Sequence, residues 1–204
     1  MEKETIYISV DVETTGASPC TSSCNMIGCV VFKDINITPE TPQPEWIIDK
    51  KHWCIREIPG RPMTKVCNDS FWIKNRDLLE YINTNAIDAR DAMIDFSNWY
   101  KFYSDKYNCV FIARPSSFDW QWINCLYEEF GPANKPVLPY SIICLSSIFK
   151  TAIMLGIDWN NTIAPLFEHP TIKLTHYADD DALYQAYMYL RITHWLKKNL
   201  KIKH

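Results

Sequence analysis

The chain has 204 residues, 47% of them apolar and 22% charged, with a net charge of −3 and a pI near 5.9. That balance suits a single folded domain over residues 1–204 and excludes a disordered chain. No apolar run reaches the roughly 18 residues of a membrane span, Met1-Glu2-Lys3-Glu4 is too charged for a secretory signal, and the acidic balance lacks the footprint of a duplex-binding protein. The expectation is a cytoplasmic protein whose eight cysteines are reduced thiols. Cys20, Cys24 and Cys29 have no CxxC knuckle and are read as free thiols rather than zinc ligands.

The first element is a strand over Ile6 to Val12. Ile6, Ile8, Val10 and Val12 face one way and Tyr7, Ser9, Asp11 and Glu13 the other, because side chains two apart project to the same side. A second strand is expected over Met26 to Lys33 and a third over Glu45 to Arg56, joined through the proline-containing loop Thr38 to Pro44. Pro59-Gly60-Arg61-Pro62 marks another break. Residues from about Ser70 to Asn83 read as helix, and Ala89, Ala92, Met93, Phe96, Trp99, Tyr100 and Tyr103 form a helical apolar stripe for the core. Asn108 to Ala113 is a short buried strand, followed by the turn Arg114-Pro115-Ser116-Ser117 and a helix starting near Phe118, which puts Asp119 in a first turn. Val137 to Cys144 is the expected fifth strand, Leu145 to Leu155 a helix, Ile157 to Thr175 a loop, and Ala178 to Lys198 the last helix. Three antiparallel strands, then strands alternating with helices, define an α/β chain: a central mixed five-stranded sheet with helices on both faces.

Asp11 and Glu13 point at one spot, and two anions held that close call for a cation; hard oxygen ligands suit Mg²⁺ or Mn²⁺. Phosphodiester hydrolysis needs a nucleophile, charge neutralisation and in-line geometry, which two divalent cations about 3.5–4 Å apart supply. A histidine able to take a proton near neutral pH completes the set, and His176 is the candidate. A glycosidase reading of Asp11 and Glu13 fails, because two residues on one strand face stand too close to flank a glycosidic bond.

The motifs Asp11-Val12-Glu13-Thr14-Thr15-Gly16, Phe118-Asp119, and His176-Tyr177-Ala178-Asp179-Asp180-Asp181-Ala182 resemble, in order, those of the DEDDh 3′ to 5′ exonucleases of the ribonuclease H-like superfamily. The match covers residues 6 to about 190. The resemblance implies a ribonuclease H-like fold and release of nucleoside 5′-monophosphates from a single-stranded nucleic-acid 3′ end. It implies Asp11, Glu13, Asp119 and Asp181 as ligands of two divalent cations, His176 as general base, and Thr14, Thr15 and Gly16 at the terminal nucleotide. Phe71-Trp72 and Phe118-Asp119-Trp120 are similar to the small bacterial and phage exoribonuclease branch, which favours RNA over DNA and makes Trp72 a candidate for stacking on a base. The family commonly dimerises, so a homodimer is a further expectation, and no membrane partner is expected. A catalytically inactive nucleic-acid-binding or interaction module of the same fold is the alternative. Of the three consecutive acids, spacing selects Asp181, and Asp179 and Asp180 are left to stabilise the positive end of the last helix. The tail lysines Lys197, Lys198, Lys201 and Lys203 are read as a solvated helix end.

Overall fold

The computed structural model describes residues 3–200; Lys201 and Lys203 lie outside the described residues. Five strands, β1 (Thr5–Thr14), β2 (Cys24–Phe32), β3 (Ile47–Cys54), β4 (Asn108–Ala113) and β5 (Ile143–Cys144), form one sheet in the order β3-β2-β1-β4-β5. β1 pairs antiparallel with β2, and β2 with β3; β1 and β4 are parallel, as are β4 and β5. The helices are α1 (Gln43–Trp46), α2 (Lys65–Cys67), α3 (Arg76–Asn85), α4 (Ala89–Ser104), α5 (Ser116–Phe130), α6 (Leu145–Met154) and α7 (Ala178–Asn199). Among the described residues no helix is long and apolar enough to cross a membrane.

The alternation in β1 sorts the two layers. Ile6, Ile8, Val10 and Val12 join the core made with Met93, Phe96 and Tyr100 of α4 and Trp122 and Ile123 of α5. On the opposite face, Val30, Phe32 and Ile112 pack with Phe149 of α6 and Ala182, Ala186 and Leu190 of α7. β2 is buried along its whole length, as a strand covered on both sides must be. A third cluster, Met26, Cys54, Trp72, Leu78, Ile82 and Ala178, ties α3 to the sheet beside the start of α7.

Three elements depart from the sequence expectation. Val137 to Cys144 contributes only Ile143–Cys144 to the sheet, while Val137 and Tyr140 are exposed. Pro136 and Pro139 lack the N–H a strand ladder needs. The expected third strand begins later, because Pro42 and Pro44 start a helical turn at Gln43–Trp46. The helix expected from Ser70 to Asn83 is divided into α2, a wide π-turn at Asn68–Trp72, and α3, with Asn75 leaving helical geometry between them. The interval 157–175 is loop, broken by helical turns at Trp159–Ile163 and Ala164–Phe167.

Gly28 sets the distance between α7 and the sheet. It pairs with Asp11 on one side and His52 on the other, and a Cβ there would sit 2.0 Å from the carbonyl carbon of Ala178 and 2.1 Å from the nitrogen of Asp179. Those are backbone atoms and cannot swing away. Gly28→Ala is expected to destabilise the fold by roughly 1–3 kcal/mol or more through overpacking; urea unfolding of the variant against wild type measures it.

Candidate active site

The polar edge of β1 lies under the N-terminal end of α7. Ser9 is fully buried, Glu13 is 8% exposed, and Asp11 is partly open between them. From α5 comes Asp119, 2% exposed, in the first turn after β4. From α7 comes Asp181, 5% exposed, whose Oδ1 accepts the backbone N–H groups of Thr175 at 2.7 Å and His176 at 3.2 Å. This reach-back shapes the turn that presents His176, which holds the left-handed φ of 66° that non-glycine residues rarely adopt. The His176 ring stands edge-on to Phe71 at 5.0 Å, and its Nδ1 lies 4.0 Å from Asp181 Oδ2.

Ligand atoms of Glu13, His176 and Asp181 lie within 4.8 Å of one another. Asp11 and Asp119 are close enough to act on the same carboxyls. Burial, reinforced by the charges of Asp181 and Asp119, pushes Glu13 up to about 9. Burial, then Asp119, Glu13 and Asp181, raises Asp11 well above the usual carboxylate range. Burial also lifts Asp119 to about 7, against the pull of the nearby N–H groups of its own backbone, Val12 and Arg114. Asp181 is raised by burial, opposed by the N–H groups of Thr175 and His176. Asp119 Oδ2 is buried with no hydrogen-bond partner among the described residues. A cluster of acids with an orphaned oxygen is electrostatically incomplete, and a divalent cation is the chemistry that completes it.

The segment after β1 forms one wall of an adjoining groove of about 530 Å³, lined by Thr14, Gly16, Ser18, Val66 and Phe118. Thr14 and Gly16 face it, whereas Thr15 is 1% exposed and its hydroxyl is engaged with Ser23, donating to the Ser23 carbonyl and accepting from the Ser23 N–H. Thr15 therefore braces the loop and has no hydroxyl to offer a sugar. Trp72 requires a correction as well: it is fully buried, and its Nε1 donates to the Thr14 carbonyl at 3.0 Å. It anchors the end of β1 and cannot stack on a base.

No family model matches the chain. Over 183 residues it is 25% identical to the 3′-5′ DNA exonuclease Cap18 of Escherichia coli, covering 89% of this chain and 86% of that protein. Cell-death related nuclease 4 (CRN-4) superposes with a TM-score of 0.65 at 18% identity over 95% of this chain, which spans 65% of the CRN-4 chain. The nuclease domain of 3′hExo, a DEDDh family member whose structure was determined bound to rAMP, superposes at 0.60 with 12% identity over 93% of this chain and 92% of that one. The chain shares the fold of these nucleases and is similar in sequence to a 3′-5′ DNA exonuclease.

Around this acidic set stand residues that the sequence motifs did not mark. Gln185, 3% exposed, donates from Nε2 to Asp11 Oδ1 at 2.7 Å. It lies one turn beyond Asp181, so the i, i+4 rule places it on the same helix face, which is the signal that could have found it. Asp179 is not a simple helix-end acid. Although burial works against its charge, hydrogen bonds from His52 and Lys50 hold it down to about 2. His52 Nδ1 meets Asp179 Oδ1 at 3.2 Å and its Nε2 meets the Tyr81 hydroxyl at 3.0 Å, while Lys50 Nζ lies 2.8 Å from Asp179 Oδ2 and also pairs with Asp180. The hydrogen bonds it donates to Asp179 and to the Cys54 sulfur raise His52 to about 9. This clamp fastens the start of α7 to β3.

The raised carboxyls make the metal-free protein sensitive to alkali. Their folded values exceed their unfolded ones, so the folded state binds more protons. The associated stability is full below about pH 4 and is lost as pH climbs through about 7 for Asp119 and about 9 for Glu13. His52 acts in the same direction, its contribution fading above about 6.5 and gone beyond about 9. Unfolding free energy measured in chelator should fall between pH 5 and 9, as roughly placed by these shifts, and Glu13→Gln should flatten that fall; an unchanged slope in the variant would contradict the electrostatic account.

Proposed function

We propose that the chain, acting as one domain, is a 3′ to 5′ exonuclease that removes nucleoside 5′-monophosphates from single-stranded nucleic acid. Asp11, Glu13, Asp119 and Asp181 would hold two divalent cations, Mg²⁺ or Mn²⁺, and His176 would be the general base. The observation that carries this reading is the meeting of Glu13, His176 and Asp181 within 4.8 Å, with Asp11 and Asp119 coupled electrostatically to the same centre. The cations, when bound, neutralise the phosphate and activate the attacking water.

The chain's own residues do the rest. The His176 side chain is half exposed at the mouth, positioned to take the water's proton as the oxygen attacks the terminal phosphorus and the bond to the neighbouring O3′ breaks. The ring's Nδ1 faces Asp181 across 4.0 Å. Gln185 orients Asp11. The Phe71 ring, edge-on to His176, limits where the imidazole can turn. Thr14 and Gly16 line the groove that takes the terminal nucleotide.

The resemblance of the Phe71-Trp72 and Phe118-Asp119-Trp120 segments to an exoribonuclease branch favours RNA. Trp72 is 0% and Trp120 9% exposed, so neither offers a base a stacking face. The Escherichia coli relative is a DNA exonuclease, and single-stranded DNA is therefore the first substrate, with RNA second.

On a 5′-labelled single strand with Mn²⁺, wild type should give a ladder shortening from the 3′ end. Asp11→Ala and Asp181→Ala should remove turnover, and His176→Ala should slow it by roughly 10²–10⁴-fold. Persistent turnover in both Asp variants would overturn the mechanism. Cations bind deprotonated ligands, so the Tm increase on adding Mn²⁺ should grow as pH rises through the range near 7 to 9 where Asp119 and Glu13 lose their protons. Calorimetry with and without the ion reads this directly, and a binding-only module of the same fold need show no such increase.

A further inference from the structure

A second cleft opens beside the acidic centre. It has a volume of about 280 Å³ and is lined by Arg114, Ser146, Phe149, Lys150, Ile153 and Trp159. Its mouth is fixed by the sheet: Ala113 of β4 pairs with Cys144 of β5, so Arg114 and Ser146 emerge together at the carboxyl ends of the parallel strands. Asp119, in the first turn of α5, follows five residues after Arg114, and the Arg114 N–H favours its charged form. From Ser146 to Ile153 the cleft follows α6 for about 10 Å at the helical rise.

The cleft's charge is largely unspent. The Arg114 guanidinium lies 5.3 Å over the Phe149 ring, and its one side-chain hydrogen bond among the described residues goes from Nη1 to Met188 Sδ at 3.6 Å. Sulfur is a weak acceptor, and a guanidinium has five N–H donors. Lys150 is exposed and, among the described residues, without an ion-pair partner. Trp159, half-buried, supplies an aromatic wall against Phe149 and Phe167. The acid next to it, Asp158, is turned onto Asn161, accepting its backbone N–H at 2.8 Å and its side-chain amide at 3.1 Å. Cations beside an aromatic wall match the chemistry of a phosphodiester strand with splayed bases. They also answer a local difficulty, since the acidic centre and the net charge of −3 repel a polyanion.

We propose that this cleft binds the substrate strand on the 5′ side of the scissile bond, Arg114 and Lys150 holding backbone phosphate and Trp159 a base. This rests on the exonuclease reading for its polarity, but its binding test does not require turnover. The groove at Thr14 and Gly16 takes the end being removed; the cleft along α6 holds the strand that remains.

The test uses the full chain, a labelled phosphorothioate oligothymidylate of about ten nucleotides, comparable to known single-strand site sizes, and thymidine 5′-monophosphate as a competitor. Lys150→Ala should weaken oligonucleotide binding roughly three- to tenfold at low salt and reduce the slope of log K against log salt by about 0.7, as loss of one phosphate contact to a single strand does. Arg114→Gln should act alike, and monophosphate affinity should be unchanged in Lys150→Ala. Lys101→Ala, whose partner is Asp105 on the same helix end, is the remote control and should bind as wild type. Wild-type affinity and salt slope in Lys150→Ala overturn the cleft, as does an equal loss of monophosphate binding. If wild type binds the oligonucleotide with this Lys150 dependence yet trims no strand, the cleft stands and the exonuclease reading falls. If trimming proceeds with binding independent of Lys150, the reverse holds.

Discussion

Several carboxyl groups held together out of water repel one another and lose hydration at once, and the architecture is arranged around that cost. The site lies where β1, α5 and α7 meet, and burial is the leading cause of the upward shift at Asp11, Glu13, Asp119 and Asp181 alike. The chain offsets part of this with neutral donors: Gln185 to Asp11, and the Thr175 and His176 N–H groups to Asp181. The positive end of α7 adds a favourable field over its first turn. What these donors leave uncompensated includes Asp119 Oδ2, and the proposed cations would compensate it.

Such a centre needs a rigid frame, and much of the polar and aromatic chemistry nearby is used for that. Trp72, Thr15 and the Thr64 N–H, which donates to the Thr15 carbonyl at 2.8 Å, fix the path of the chain as it leaves β1. On the other side the Lys50–Asp179–His52 clamp holds the start of α7 against β3, and Gly28 lets the helix end come into contact with the sheet. Residues that look like substrate contacts in the sequence, Trp72 and Thr15, are structural. Others that look structural or incidental, Gln185 and His52, touch the acidic elements directly.

The sheet was legible where pattern and burial agree. β1 alternates because its two faces meet different layers, and the stripe from Ala89 to Tyr103 is buried in α4 as its spacing requires. The strand at Val137 failed because local apolar character said nothing of the missing N–H groups at Pro136 and Pro139. The division near Trp72 was equally hidden, since the π-turn ends at a tryptophan held by the Thr14 carbonyl, far away in sequence. Gly28 did carry a signal, an isolated glycine inside an apolar strand, which marks close backbone approach.

The sequence by itself determined the order of the elements, the two-faced character of β1 and the acidic and imidazole groups available to the site, because these follow from residue type and from periodicities of two and about 3.6. Only the tertiary structure decided which polar groups are already spent. Hydrogen bonding and burial are properties of neighbours: Trp72 is consumed by Thr14, Asp179 by His52 and Lys50, and Thr15 by Ser23, whereas Asp119 keeps an oxygen without a partner. No local pattern encodes those distances, since each joins parts of the chain that meet only when the sheet is assembled and α7 closes over it.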